Sequence, residues 1–231
     1  MSSHSNSLAH HQYLQRVPPA PDDVSIWEWL FEKNNAVVSD KRGFRDASTG
    51  GLLSHQALRD SAAAVSFSLH NSYGLQPLQT VAIVSRNALM YPIALMAASR
   101  LGVIVTPLPP EAREEDLVYF FQQSSSVAVF TDVEARERVK NAARKAQIHA
   151  SHVIVLDETE DVGEPTLKQL MRRGASHRHV KAWTLTEGGK STCAFLAFTS
   201  GTTGKPKAVC VNLMQTSCLS KVGDCCDSSL I

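Results

Sequence analysis

The segment Phe198–Lys207 reads Phe-Thr-Ser-Gly-Thr-Thr-Gly-Lys-Pro-Lys. Its first residue is the last of a strongly apolar run, Ala194–Phe198. Its two glycines allow positive φ angles and let backbone N–H groups approach an anion closely. Four hydroxyl side chains and two lysines add donors and positive charge. We therefore predict a loop that binds the β- and γ-phosphates of a nucleotide. The candidate nucleotide-binding residues are Thr199, Ser200, Gly201, Thr202, Thr203, Gly204, Lys205 and Lys207.

Two other interpretations of this segment compete with phosphate binding. A plain surface turn explains the small residues, but it does not require hydroxyls and lysines beside them. A Walker A loop, G-x-x-x-x-G-K-[ST], requires a glycine where Thr199 stands and a serine or threonine where Pro206 stands. Lys207–Val211 continues as Lys-Ala-Val-Cys-Val, which favours a strand. We thus expect a strand–loop–strand arrangement rather than the strand–loop–helix of an NTPase.

Upstream of this segment, short apolar runs alternate with amphipathic stretches, which predicts an α/β fold with a parallel sheet built from βαβ units. The predicted strands are Val81–Val84, Val103–Thr106 (ended by Pro107), Val127–Thr131, Val153–Leu156 and Cys193–Thr199. The predicted helices between them are Asn87–Leu101 (capped by Asn87 and stopped by Gly102), Glu111–Ser124, Val133–Ala146 and Thr166–Arg173. Earlier elements are a helix at Val24–Lys33 capped by Asp22, Asp23 or Ser25, a hairpin at Phe44–Leu53 and a helix at Ser54–His70.

Composition narrows the class of protein. The 231 residues are 43% apolar and 19% charged, which is typical of a soluble globular protein. The formal net charge of +1 provides no broad basic field, so nucleic acid and anionic lipid are not expected partners. The most apolar stretch, Pro92–Pro110, is interrupted by Arg100, Gly102 and three prolines, so we expect no membrane span.

Cysteines and histidines do not form a recognisable metal site in the sequence. The five cysteines lack paired CxxC spacing, so we expect reduced thiols in an intracellular protein and no metal ligands. The histidines at positions 149, 152, 177 and 179 are expected to be solvated loop residues. Met1–Pro21 is polar and has no apolar core of a secretory signal.

The segment Thr199–Lys207 resembles the signature loop of the AMP-dependent synthetase and ligase family, which includes acyl-CoA synthetases and 4-coumarate–CoA ligases. Thr80–Pro107 resembles the family's strand–helix–strand, in which a glycine precedes an apolar strand and a proline. The resemblance covers roughly residues 25–211 and implies an incomplete version of the N-terminal domain of adenylate-forming enzymes.

The resemblance implies a two-step ligase reaction. A carboxylate substrate attacks ATP to give an acyl-adenylate, and a thiol, usually coenzyme A, then takes the acyl group. Mg²⁺ is implied beside the phosphates. By position in the motif, the expected phosphate contacts are Ser200, Thr202, Thr203 and Lys207, whereas Lys205 occupies a more variable position. No catalytic residue and no oligomeric state is assigned.

Two departures from the family pattern shape the remaining expectations. Asn212-Leu213 stands where the family often has Ser/Thr-His, and the family's downstream motifs have no counterpart in the sequence. We expect a flexible leader at 1–22, a partial N-terminal domain at 23–213 and a non-family tail at 214–231 produced by a splice change, retained intron or frameshift. The function is then either that of a truncated acyl-activating ligase with little turnover or that of a non-catalytic nucleotide-binding relic. The compartment implied is cytoplasmic or peroxisomal.

Overall fold

A six-stranded sheet forms the centre of the protein, and a separate two-stranded hairpin precedes it. The computed structural model describes residues 23–33, 40, 43–156, 163–199 and 205–216. The strands are β1 (Gly43–Arg45), β2 (Leu52–Ser54), β3 (Thr80–Val84), β4 (Ile104–Leu108), β5 (Ser126–Thr131), β6 (Val153–Val155), β7 (Cys193–Thr199) and β8 (Lys207–Asn212). The α-helices are α1 (His55–Tyr73), α2 (Met90–Arg100), α3 (Glu114–Gln123), α4 (Arg136–Lys145) and α5 (Leu167–Gly174).

The strands of the large sheet follow the order β6-β5-β3-β4-β7-β8. All neighbours are parallel except the pair of β7 and β8. The connection through α2 joins β3 to β4 and runs across the sheet in the direction of β7. The connections through α3 and α4 join β4 to β5 and β5 to β6, and run in the opposite direction. Because parallel crossovers are right-handed, α2 lies on one face of the sheet and α3 and α4 lie on the other. The predicted α/β fold with parallel βαβ layers is confirmed.

Each face of the sheet has its own hydrophobic core. On the α2 face, Ile83 of β3 packs in one cluster with residues of α1, α2 and α5, such as Leu69 and Ile93. On the opposite face, Val84 packs with residues of α3 and α4, such as Leu117 and Val139. All five residues of β3 are buried, as expected for a central parallel strand covered on both sides.

The elements before the sheet mostly match their predictions. Strands β1 and β2 pair as the predicted antiparallel hairpin, and the hydroxyl of Ser54 caps α1 by accepting from the N–H of Ala57 at 3.1 Å. The predicted helix at Val24–Lys33 begins two residues later than expected, since helical structure starts at Ile26, and its residues Glu28–Lys33 form a π-helical turn. Ser25 begins this turn through reciprocal hydrogen bonds with Glu28, which confirms it as the cap.

Two predictions around α2 and β4 are wrong. Asn87 does not cap α2, because the helix begins at Met90 and its preceding residue, Leu89, makes no side-chain capping bond. Pro107 does not end β4 but lies inside it, in register with Ile83 of β3. In the described strands, β4 pairs with β7 only through Val105 and Phe195, so a residue without an N–H is tolerated at this point.

Gly102 ends the turn after α2 with a left-handed φ of 73°. A β-carbon at this position would lie 2.4 Å from Cδ2 of Trp183, so the indole ring occupies the space above the glycine. Only glycine satisfies both the backbone angle and this close approach. The predicted stop at Gly102 is therefore confirmed.

Part of the sequence lies outside the described residues, including the predicted leader at 1–22 and all but the first few residues of the predicted tail at 214–231. The predicted domain boundaries therefore remain predictions. Among the helices that are described, none combines the length and apolar character needed to cross a bilayer.

Candidate nucleotide-binding site

Strands β7 and β8 form the antiparallel pair on either side of the predicted phosphate loop. Their register places Thr199 opposite Lys207 and continues through Phe198 opposite Ala208. The hydroxyl of Thr199 donates to the carbonyl of Lys207 at 3.4 Å. The two strands predicted on either side of the loop are confirmed, and the strand at Lys207 is incompatible with the helix that follows a Walker A loop.

The structure places three of the predicted site residues at this end of the hairpin. Thr199 is the last residue of β7, and Lys205 and Lys207 follow the loop, all with exposed side chains. The other predicted residues lie outside the described part of the chain: Ser200, Gly201, Thr202, Thr203 and Gly204. The assignment of the full loop to phosphate binding therefore stays a prediction.

The loop leaves the sheet at its carboxyl edge. β7 runs parallel to β3, β4, β5 and β6, so all five strands end at the same edge. The hydroxyl of Thr106 in β4 donates to the carbonyl of Leu196 in β7 at 2.8 Å, which joins the two strands below the loop. In open α/β sheets, ligands bind outside this edge, where successive connections move to opposite faces. That condition is met between β3 and β4, next to β7.

Helix α3 contacts the chain on both sides of the loop. The ring of Phe120 packs against Phe198 with a centroid distance of 4.6 Å. On the other side, the hydroxyl of Tyr119 donates to the carbonyl of Pro206 at 2.9 Å. Nζ of Lys205 lies 5.1 Å from the centroid of the Tyr119 ring, within cation–π range. Sequence reasoning missed Tyr119 and Phe120, because helical periodicity says nothing about which distant segment a face will contact.

A second feature of the same edge is a cavity of about 390 Å³ beside the ends of β3, β4 and β5. It is lined by Arg86, Pro110, Glu111, Asp132, Glu134, Ala135 and Arg138. Arg86 pairs with both Asp132 and Glu134. Asp132 also accepts from the N–H of Ala135 at 2.8 Å, so it is committed to holding the first turn before α4. Three of the five charged side chains that line this cavity are therefore paired with one another.

Asn212 begins a helical turn at residues 213–216. Its side chain accepts from the N–H of Gln215 at 2.8 Å, and the Gln215 side chain accepts from the N–H of Asn212 at 3.0 Å. This reciprocal arrangement is a capping box. The sequence departure at Asn212-Leu213 thus has a structural role at the end of β8.

The candidate metal ligands, including the histidines, lie apart from one another or have other partners. No cluster of three or more His, Cys, Asp or Glu side chains that could hold a metal ion occurs among the residues that the structure describes. His152 bonds the carbonyl of Val127 through Nδ1 at 3.0 Å, and His177 stacks on Phe67 with centroids 4.0 Å apart. His152 is therefore half-buried and holds a backbone carbonyl, contrary to the expectation, whereas His149, His177 and His179 are exposed as expected.

Comparison with known proteins identifies relatives across most of the chain. The family model for the AMP-binding enzyme matches residues 31–226. The peroxisomal OPC-8:0-CoA ligase 1 of Arabidopsis thaliana is 27% identical over 201 residues, covering 85% of this chain and 35% of the relative. A long-chain-fatty-acid–CoA ligase of Yersinia pestis is 25% identical over 226 residues, covering 84% of this chain and 39% of the relative. The chain therefore spans little more than a third of the length of these relatives.

Solved structures show the same fold. The luciferase-like enzyme of the nonluminescent mealworm Zophobas morio superposes with a TM-score of 0.74 at 22% identity, covering 86% of this chain and 45% of that chain. The anthranilate CoA ligase AuaEII, in complex with anthranoyl-AMP, superposes with a TM-score of 0.72 at 16% identity, covering 84% of this chain and 36% of that one. Since the family model matches most of the sequence and these folds agree with it, the chain belongs to the family of AMP-binding enzymes.

Proposed function

We propose that this chain supplies the phosphate-binding part of an adenylate-forming, acyl-activating ligase. The observation on which the proposal depends is the hairpin of β7 and β8, which presents Thr199, Lys205 and Lys207 at the carboxyl edge of the sheet. Membership of the AMP-binding family supports a nucleotide as the ligand. The proposed contacts to the β- and γ-phosphates include Ser200, Thr202, Thr203 and Lys207.

The proposed chemistry has two steps. A carboxylate oxygen of the substrate bonds to the α-phosphorus of ATP, and the bond from that phosphorus to the bridging oxygen breaks. Pyrophosphate leaves, and the acyl-adenylate remains. The sulfur of a thiol, with coenzyme A as the proposed acceptor, then attacks the acyl carbon, and AMP leaves as the thiol proton is lost.

The hairpin contributes to the first step through charge. Negative charge accumulates on the departing pyrophosphate, and positioned ammonium groups and N–H donors stabilise such charge where it develops. The pairing of β7 and β8 places the backbone of Lys207 opposite Thr199. The backbone of this lysine is therefore already in position before the reaction begins. This is the contribution that we assign to the described residues of the chain.

Mg²⁺ is implied by the resemblance, and it would screen the charge of the phosphates. The described end of the hairpin offers one hydroxyl and two ammonium groups, from Thr199, Lys205 and Lys207. Mg²⁺ prefers oxygen ligands in octahedral geometry and usually keeps several waters. Its ligands would therefore come mainly from the phosphates and water, and no step is assigned through the ion.

The substrate class is proposed to be a small or fatty carboxylic acid. By their names, the matched relatives are ligases that join OPC-8:0 or long-chain fatty acids to coenzyme A, and one solved relative holds anthranoyl-AMP. The proposed compartment for this chain is the cytoplasm or the peroxisome. One relative is peroxisomal by name, which supports the second of these.

An exchange assay tests the proposal. The chain is incubated with ATP, labelled pyrophosphate and a panel of aliphatic and aromatic carboxylates, and the label entering ATP is measured. Carboxylate-dependent exchange that falls in Lys207→Ala but not in Lys181→Ala supports adenylation. Lys181 is the control because it is an exposed lysine near the opposite edge of the sheet. Its neighbours Val180 and Trp183 are hydrogen-bonded to Arg100, the last residue of α2.

The same assay separates the alternative function. ATP binding without exchange would support a non-catalytic nucleotide-binding protein. If neither binding nor exchange occurs, the proposed function is wrong for this chain.

A further inference from the structure

We infer that Tyr119 is a positioning residue for the nucleotide-binding hairpin, acting through Lys205 and Pro206. This inference rests on the proposed function, because the hairpin matters only if it holds a polyphosphate. Tyr119 itself is not placed in contact with ATP. Its role is to fix the chain at the point where it re-enters the sheet as β8.

Two contacts fix this point from one side chain. The Tyr119 hydroxyl donates to the carbonyl of Pro206 at 2.9 Å, which holds the residue directly before Lys207. The aromatic ring lies under the ammonium of Lys205 at 5.1 Å, which draws that lysine toward α3. The ring face is negative and attracts the cation, so the two contacts act on consecutive residues of the chain.

The neighbouring residue on α3 fixes the other end of the hairpin. Phe120 is 7% exposed and packs its ring against Phe198, the residue before Thr199. Consecutive residues of one helical turn therefore contact the chain on both sides of the segment 199–205. Anchoring both ends reduces the conformational freedom that a ligand would otherwise have to remove on binding.

This geometry assigns different roles to the two lysines. Lys207 lies in β8 with its backbone paired to Thr199. Lys205 is engaged with Tyr119, so its main effect is to hold the chain rather than to contact phosphate directly. Replacement of Lys205 by arginine should preserve this effect, because the guanidinium also binds aromatic faces.

The test compares ATP affinity and backbone protection in variants of the full chain. Tyr119→Phe removes only the hydroxyl, Tyr119→Leu removes hydroxyl and ring, and Lys205→Met removes only the cation. Tyr91→Phe is the matched control, because Tyr91 is a half-buried tyrosine on α2, on the opposite face of the sheet. ATP affinity is measured by titration, and protection by hydrogen exchange of the peptide containing residues 205–208.

We expect Tyr119→Phe to weaken ATP binding by about three- to tenfold, in line with one lost hydrogen bond. Exchange at residues 205–208 should accelerate in the same variant. The control Tyr91→Phe should stay within about twofold of the unmodified chain, and Lys205→Arg should lose less affinity than Lys205→Met, because it keeps a cation for the ring. Since the ring acts through the lysine, adding Lys205→Met to Tyr119→Leu should weaken binding no further.

Several results would overturn the inference. Unchanged ATP affinity and unchanged exchange in Tyr119→Phe would show that the hydroxyl positions nothing. Additive losses in the Tyr119→Leu and Lys205→Met double variant would show that the lysine acts independently of the ring. A lowered melting temperature with unaltered ATP affinity would reduce Tyr119 to a packing residue. If the unmodified chain binds no ATP, the proposed function fails, while the exchange rates still decide whether Tyr119 holds residues 205–208.

Discussion

Thr199 and Lys207 face each other across the last antiparallel pair of β7 and β8, and the Thr199 hydroxyl lies 3.4 Å from the Lys207 carbonyl oxygen. Opposed residues in an antiparallel pair have α-carbons about 5 Å apart. The segment of seven residues from 200 to 206 therefore begins and ends at two neighbouring points of the sheet. Strand pairing, rather than a helix, sets the ends of the candidate phosphate loop.

Thr166 should determine the stability of α5. Its hydroxyl accepts from the N–H of Gln169 at 3.2 Å, and the Gln169 side chain accepts from the N–H of Thr166 at 3.3 Å. Replacing a capping threonine by alanine typically lowers the free energy of unfolding by about 1 kcal/mol. Thr166→Ala should show this loss in urea denaturation, whereas Thr166→Ser should retain most of the stability. Equal stability of the alanine and serine variants would contradict the capping role.

Gly174 should tolerate no side chain, because α5 lies directly against α1 at this residue. A β-carbon at Gly174 would lie 1.9 Å from the carbonyl oxygen of Ala64, which is backbone and cannot rotate away. Helix propensity alone would favour alanine by about 1 kcal/mol, but overpacking costs about 1–3 kcal/mol, so the clash decides the sign. We expect Gly174→Ala to lower the free energy of unfolding.

Gly74→Ala is the comparison for this variant. A β-carbon there meets no atom within 4 Å, so its cost comes only from the left-handed φ of 67° and should be about 1 kcal/mol. A Gly174→Ala variant at least as stable as the unmodified protein, measured by chemical denaturation, would contradict the close packing of α1 and α5.

Asp46 should titrate at unusually low pH. Hydrogen bonds from the Ser48 hydroxyl, at 2.6 Å, and from the N–H groups of Thr49 and Ser48 lower the pKa of its carboxyl group from 3.8 to about 2. Because the pKa is lowered on folding, its contribution to stability is present above pH 3.8 and is lost as the pH falls toward 2. Carboxyl ¹³C shifts measured against pH should show this midpoint.

Ser48→Ala removes the largest cause of the shift, so the Asp46 midpoint should rise toward its ordinary value. Ser48→Thr keeps a hydroxyl and should keep the low midpoint. A midpoint near 3.8 in the unmodified protein would contradict the hydrogen-bond arrangement of the β1–β2 turn.

Cys193 should be much less reactive than Cys210. Burial, followed by a hydrogen bond with the Cys210 side chain, raises the pKa of the Cys193 thiol from 9.0 to about 12. The thiolate is the reactive form, and Cys210 is exposed on β8. Alkylation by iodoacetamide at pH 8, followed by peptide mass spectrometry, should label Cys210 well before Cys193. Equal labelling rates in the native protein would contradict this environment of the two thiols.

The sequence predicts the elements well where the signal is local. The alternation of apolar runs, the turn before Leu52 and the strand after Pro206 are all properties of neighbouring residues, and the structure confirms each of them. The prediction that Asn87 caps α2 is wrong because Asn87 lies two positions before Leu89, the residue that precedes the helix. The chain at this point forms a turn in which the N–H of Tyr91 donates to the carbonyl of Ala88. The prediction that Pro107 ends β4 is wrong because the missing N–H of a proline interrupts a strand only where a neighbouring strand has a carbonyl to receive that hydrogen bond.

The parts that could not be predicted depend on contacts between distant residues. Tyr119 and Pro206 are 87 positions apart, and the pattern of α3 indicates only that Leu117, Phe120 and Phe121 share a buried face. The strand order, which places β7 beside β4, likewise has no local signal. The candidate loop was found because its residue types are chemically specific, whereas the residues that hold it are ordinary aromatics of an amphipathic helix.

The most direct test of the account is a titration of ATP against the full chain in which both lysines of the hairpin are replaced. Charge-assisted hydrogen bonds contribute about 1.5–3 kcal/mol, so losing the phosphate contact should weaken binding by about ten- to a hundredfold or more. The account predicts this loss in Lys205→Ala/Lys207→Ala and unchanged affinity in the control Lys181→Ala. ATP affinity that is the same in the double variant as in the unmodified chain would contradict a phosphate-binding role for the hairpin of β7 and β8.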